Sequence, residues 1–376
     1  MRGTVQGNRP GSPNMLSMIL DDPVALARID AGGMLGLVGR FGGMAADGWR
    51  AGSLTLQRVR PSAVVVAGMG GSGVGGQLLR SLVAPHCPVP VIPVASSTLP
   101  AFAGRGSLVF ACSYSGSTEE TLSAFESARD RGASIVAITS GGPLAERART
   151  LGHPVVVLPA GQPPRSALPY QLLAMLRVMG DLGLAHYDEG QVSEAIQVIG
   201  RLAVGWGPAA ATTANLAKQL ARRLADALPM IYAATMDLAP VAYRWKTQVN
   251  EHAKTFAVWN AFPELSHNET VGWVRVPDSE TRPAVVILRD RDDGDRAARE
   301  IEATRALAFS GAKSIDEVWS EGEGYLARML SLVVLGDFTS VYLACLAGID
   351  PTPIDVITAV KRRLQEAQRT RGNLTT

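Results

Sequence analysis

The strongest constraint on this chain is a rhythm of short β-branched, apolar runs separated by helical stretches. In the first half the runs are Ser62–Ala67, Val89–Ala95, Ser107–Ala111, Ser134–Thr139 and Val155–Leu158, with helical stretches at Glu119–Arg131 and Pro143–Thr150. Strand, turn, helix, strand at this spacing specifies a parallel sheet covered on both faces, because parallel neighbours need a long crossover. A helical region follows at Ser166–Leu184, Gln191–Val204 and Thr212–Leu228. Strands then return at Pro229–Ala234, Ala284–Leu288 and Ser314–Trp319, with helices near Pro240–His252, Gly294–Ala308, Gly324–Ala347 and Pro353–Glu366. The pattern gives two α/β units, which 376 residues can accommodate at about 150 per domain.

The boundaries expected are an N-terminal extension with helices over 1–60, a first α/β domain over 61–160, a helical connection over 161–204, and a second α/β domain over 205–376 that ends on a closing helix. The first fourteen residues are polar, contain Gly and Pro, and carry no apolar core of a signal peptide, so they read as a flexible start. Met329–Ile349 is nearly uncharged, interrupted only by Asp337. A single stretch of this kind reads as a core helix, not as a membrane span.

Charge and cysteine usage remove several classes. Lys plus Arg number 36 against 34 Asp plus Glu, and a net charge of +2 does not suit a dedicated nucleic-acid binder. The three cysteines, Cys87, Cys112 and Cys345, have no CxxC spacing, which excludes a disulfide scaffold and a cysteine-based zinc site. Cys112 lies in an apolar run and reads as a buried, reduced thiol of a cytoplasmic protein.

Three clusters carry the chemistry. The first follows Ser62–Ala67 and runs Gly68 to Gly76 as GMGGSGVGG. Its glycines match GxGxxG, but residues 85–100 hold no Asp or Glu to grip a ribose, and no GKS or GKT follows. The turn then serves either a single phosphate at a helix start or tight helix–strand packing alone. The second cluster is Ser113, Ser115, Ser117 and Thr118 around Gly116, at the carboxyl end of a buried strand. Hydroxyls and helix N–H groups can wrap a phosphate there, although Ser117 and Glu120 also have the spacing of a capping box. The third holds Arg244, Lys246, Gln248, Asn250, Glu251, His252 and Lys254, then Pro263 to Glu269 as PELSHNE. No HxxxH or HExxH spacing occurs in it, so no metal is expected.

Taken in order, GMGGSGVGG, SYSGSTEETL, PRSALPY, KTQVNEHAK and PELSHNE resemble the bifunctional phosphoglucose/phosphomannose isomerase family, over about Ser62 to Leu364. The resemblance implies two αβα-sandwich SIS domains, each with a mainly parallel sheet. It implies aldose–ketose isomerisation of glucose 6-phosphate and mannose 6-phosphate to fructose 6-phosphate, without metal or other cofactor, by a cytoplasmic homodimer with shared active sites. Neither nucleic acid nor membrane is an expected partner. Residue by residue, it assigns Gly71, Ser72, Ser113, Ser115 and Thr118 to the substrate phosphate. It assigns Arg165 to the reacting carbons, Glu251 as general base, His267 from the second subunit as ring opener, and Lys361 as an active-site lysine of the closing helix. Ser117 stands where the family more usually has Asn, and His252 where Asn or Ser is more common. A non-catalytic SIS protein that binds a sugar phosphate for regulation is the alternative. It would keep the serine cluster but would not need Glu251 and His267.

Overall fold

The computed structural model describes residues 19–55, 60–275 and 281–372, so the expectation of a flexible first fourteen residues lies outside the described residues. Helices α1 (Pro23–Ile29), α2 (Met34–Gly39) and α3 (Phe41–Ala51) precede the first sheet. The Asp22 carboxylate starts α1 by accepting from the backbone N–H groups of Val24 and Ala25, two of the donors that a helix start leaves unpaired. The chain then alternates through β1 (Ala63–Gly68), α4 (Gly71–Val83), β2 (Val91–Val94), β3 (Ser107–Cys112), α5 (Glu119–Asp130), β4 (Ser134–Thr139), α6 (Gly142–Thr150) and β5 (Val155–Val157). These five strands are parallel, in the order β2-β1-β3-β4-β5. β1 and β3 are buried along their whole length. Both faces therefore demand apolar side chains, and the strands read as unbroken runs.

Helices α7 (Leu168–Asp181), α8 (Glu189–Gly205) and α9 (Leu216–Leu224) connect this sheet to a second one. The second unit contains β6 (Leu228–Ala233), α10 (Ala239–Ala253), β7 (Val258–Ala261), the one-turn α11 (Glu269–Gly272), β8 (Pro283–Arg289), α12 (Gly294–Leu307) and β9 (Ser314–Trp319). Its strands are parallel in the order β7-β6-β8-β9. The chain ends in α13 (Tyr325–Leu346) and α14 (Asp355–Gly372). Two parallel sheets with flanking helices are the α/β architecture that the sequence rhythm requires.

The differences from expectation have local causes. β7 has no counterpart in the sequence pattern: it is four residues at a sheet edge, and Val258 and Trp259 are partly exposed, so no buried run marks it. The stretch Thr212–Leu228 is not one helix. A 3-10 turn covers Thr212–Ala214, Asn215 then caps α9 by accepting from the Lys218 N–H, and the chain leaves the helix at Ala225. The closing helix begins at Asp355 and not at Pro353.

Helix α13 has the length and hydropathy to cross a membrane, but its apolar window is entirely buried inside the protein. It packs against α10 through a close approach at Gly336, where a Cβ would lie 2.3 Å from the Trp245 Nε1. That indole donates to the Leu332 carbonyl at 2.8 Å. Asp337, the charge that interrupts the apolar stretch, is buried against the guanidinium of Arg244. Nη2 meets Oδ2 at 2.7 Å and Nε meets Oδ1 at 3.0 Å. Gln248 donates to the same carboxylate at 3.2 Å.

Candidate active site

The strand order β2-β1-β3 reverses direction between β1 and β3, and ligands of open α/β sheets bind at the carboxyl edge beside such a reversal. Both hydroxyl-bearing turns lie there, because Gly68 at the end of β1 is in register with Cys112 at the end of β3. Gly70 takes φ 54°, a conformation that glycine adopts without strain, and delivers Gly71 and Ser72 into the first turn of α4. The Ser72 hydroxyl accepts from the Gln171 amide at 3.0 Å, which fixes it against α7.

In the neighbouring turn the Ser113 and Thr118 hydroxyls lie 2.9 Å apart. The Ser115 hydroxyl accepts from the Ser117 hydroxyl at 3.0 Å and from its N–H at 3.3 Å. The capping box at Ser117 and Glu120 does not form. Thr118 is the N-cap of α5, and no N-cap side chain bonds to that helix. The start of α5, without a bond from its N-cap side chain, lies beside four hydroxyls, an arrangement suited to an anion. Burial raises the Cys112 thiol to about 12, so it stays protonated at the base of this edge.

Arg165 enters from a 3-10 turn, Pro164–Ala167, that leads into α7. A Cβ on Gly71 would come within 3.3 Å of the Arg165 Cα and of the Pro164 carbonyl, so this turn and the glycine turn are in contact. Arg165 is buried, and its guanidinium donates through Nη2 to the carbonyls of Pro351 (2.9 Å) and Thr352 (2.7 Å). Its Nη1 lies 3.8 Å from Glu251 Oε2. Burial lowers the Arg165 pKa from its ordinary value, the Glu251 charge opposes that, and the Arg244 charge adds to it.

Glu251 stands near the end of α10 with its side chain 26% exposed, accessible to a ligand yet beside a buried cation. His252 turns the other way. Its Nδ1 is 2.9 Å from the Ser340 hydroxyl, which itself donates to the Asp337 carbonyl, so Nδ1 carries the imidazole proton. Burial holds this ring well below its ordinary pKa, and Arg165, Arg244 and Lys254 add to the effect, so His252 is neutral.

The remaining two sequence candidates are not brought to this cluster within one chain. His267 is exposed at the end of the Glu264–His267 3-10 turn and has no hydrogen bond or ion pair among the described residues. Lys361 is exposed on α14, likewise without a partner among the described residues. No group of three or more His, Cys, Asp or Glu is placed to hold a metal among the described residues. Sequence reasoning missed the Arg244–Asp337 pair and the Pro351 and Thr352 carbonyls that receive Arg165. The first had a signal: a lone Asp in a long apolar helix requires a buried cation. The carbonyls had none, because any residue could supply them.

Comparison with known proteins points the same way. Residues 60–177 match the SIS domain model, and residues 213–364 match that of the bacterial phospho-glucose isomerase C-terminal SIS domain. The bifunctional phosphoglucose/phosphomannose isomerase of Caldicellulosiruptor bescii is 40% identical over 81% of this chain and 89% of its own. That of Aquifex aeolicus is 34% identical over 81% and 90%. Among solved structures, a hypothetical protein of Thermus thermophilus superposes with a TM-score of 0.67 at 19% identity, covering 95% of this chain and 97% of the other, which speaks to the fold alone. With its two parallel sheets and both family models in sequence order, the chain belongs to the bifunctional phosphoglucose/phosphomannose isomerase family of SIS-domain proteins.

Proposed function

We propose that this isomerase interconverts glucose 6-phosphate and mannose 6-phosphate with fructose 6-phosphate by proton transfer through a C1–C2 enediol. The observation that carries the reading is the Glu251 carboxylate beside the buried Arg165 guanidinium, whose turn touches the glycine turn of the hydroxyl-lined edge. Gly71, Ser72, Ser113, Ser115 and Thr118 hold the 6-phosphate. Glu251 carries the proton between C2 and C1, acid–base help typically worth ~10²–10⁴-fold. Arg165 stabilises negative charge on the enediolate oxygens through Nη1, the nitrogen nearest Glu251. The two aldoses differ only at C2, and that stereocentre is lost in the shared enediol, so one base serves both. The experiment is a coupled assay of the purified chain on fructose 6-phosphate, with glucose 6-phosphate and mannose 6-phosphate measured separately. Binding without turnover would favour the regulatory alternative.

Phosphate binding by the hydroxyl edge has its own expected result. A hydrogen bond to a charged group is worth about 1.5–3 kcal/mol. Ser113→Ala and Thr118→Ala should each raise KM by roughly ten-fold or more, with smaller effects on kcat. Unchanged kinetics in the double variant would reduce the cluster to a turn.

The working unit is a homodimer in which His267 opens the sugar ring in the partner's site and Lys361 reaches the site from the closing helix. Two features support this. His267 has no partner among the described residues of its own chain, and its neighbours in sequence include Phe256, Val271 and Val274, each more than 70% exposed. Val356, Val360 and Leu364 form a second exposed apolar face on α14, at a spacing of four. Inactive Glu251→Gln and His267→Ala chains, mixed under verified subunit exchange, should regain activity at some sites. No recovery would place both residues in one subunit.

A further inference from the structure

Lys254 follows the last residue of α10 and has φ 55° and ψ 31°, one of two positive-φ residues other than glycine among the described residues. Helix ends in this conformation are ordinarily glycine or asparagine, because a Cβ is strained there. The lysine side chain folds back over the helix end. Its ammonium donates to the carbonyl of Glu251 at 2.6 Å and to the carbonyl of Pro351 at 3.1 Å. Pro351 is also a carbonyl that receives Arg165, at 2.9 Å. The contacts close a ring: Glu251 carboxylate to Arg165, Arg165 to the Pro351 carbonyl, that carbonyl to Lys254, and Lys254 back to the Glu251 carbonyl.

Three separate pieces of chain meet in the ring. Arg165 comes from the turn before α7, Glu251 and Lys254 from the end of α10, and Pro351 from the loop between α13 and α14. A carboxylate near a helix terminus is prone to fraying, since the last carbonyls have no intrahelical partners. Here one of those carbonyls, that of Glu251 itself, is tied by Lys254 to the loop that also ties Arg165. The Pro351 loop is in turn held from outside, where a Cβ on Gly32 would fall 2.0 Å from the Thr352 hydroxyl oxygen.

We infer that Lys254 is a positioning residue for proton transfer: by bridging the Glu251 and Pro351 carbonyls it fixes the distance between the base and Arg165. The inference rests on the isomerase reading above. It explains why a strained residue stands at a helix end where glycine would be easier, since glycine cannot make the bridge. A misplacement of about 1 Å between reacting groups can cost on the order of 10²-fold in rate.

The test uses full-length Lys254→Gly and Lys254→Met. Glycine relieves the backbone strain and methionine retains it, while both remove the ammonium. Each variant, shown folded by circular dichroism, should lose at least ~10-fold in kcat on both aldose phosphates, with KM changed less than ~3-fold. Exchange of the C2 hydrogen with deuterium oxide should fall in parallel. A purely structural cap would lower the melting temperature and leave kcat of the folded enzyme alone, which overturns the inference. A loss in KM only, or a loss in one variant and not the other, overturns it as well. The wild type is assayed first: its inactivity would overturn the isomerase reading together with this one, whereas an active wild type with unimpaired variants overturns the positioning role alone.

Discussion

Glu251→Gln should lose at least ~10²-fold in kcat on glucose 6-phosphate and on mannose 6-phosphate alike, with KM for both held within a few-fold. The amide keeps the size of the carboxylate and can still lie beside Arg165, 3.8 Å from its Nη1 in the native arrangement. What it cannot do is accept a proton from carbon. KM is spared because the groups proposed for the phosphate are on the β1 and β3 turns, while Glu251 is at the end of α10. Loss on both epimers follows from the common enediol. Retention of one activity would show that two bases serve the two faces of C2. Retention of both would leave Glu251 an ordinary helix-end carboxylate. Deuterium exchange at C2 checks the assignment independently, since it needs the same proton acceptor and no completed turnover.

The second large effect is on stability. Asp337→Ala should cost about 3–5 kcal/mol, read as a fall in the urea midpoint with little change in slope. The loss is large because Arg244 cannot leave: its side chain is 2% exposed, enclosed between α10 and α13, and would remain charged without its bidentate partner. Burial raises the pKa of the Asp337 carboxyl and Arg244 opposes that rise, so the two groups depend on each other. Arg244 also donates to the carbonyl of Arg165 at 3.2 Å, so the damage should reach the candidate site. An apolar pair of similar volume, Arg244→Met with Asp337→Leu, should recover much of the stability, because replacing both buried charges avoids the stranded one. A midpoint unchanged in Asp337→Ala would mean that water reaches Arg244.

The glycine turn and the Ser113–Thr118 turn were legible because they carry their own local signals of φ freedom, hydroxyl density and position at a strand end. The central strands were legible because burial on both faces leaves an unbroken apolar run. β7 was not, since a four-residue edge strand with exposed side chains has neither a run nor an alternation. The capping-box spacing at the start of α5 misled for a different reason. Ser117 has the right spacing for a cap, but its hydroxyl is engaged by Ser115. Resemblance, not spacing, brought Arg165 and Glu251 together on paper. They lie on different units of the fold, and only the packing of α10 and the Pro351 loop against the turn before α7 makes them neighbours. Lys254 stands out in the sequence only as part of a polar cluster, and its left-handed backbone is a property of three-dimensional context that no side-chain pattern announces.

The contact between Gly71 and the Arg165 backbone joins two parts that could have been separate. The glycine turn proposed for the phosphate and the guanidinium both belong to the first half of the chain, and the carboxylate comes from the second half. In the proposed assignment, affinity for the phosphate end of a substrate and the power to move its proton are thereby lodged on opposite sides of one seam. Substitutions that drift on either side can tune one quantity while sparing the other, and selection can act on them separately. Contacts also cross the seam, Arg244 to the Arg165 carbonyl and Arg165 to the Pro351 carbonyl, so a substitution of either arginine acts on both sides at once.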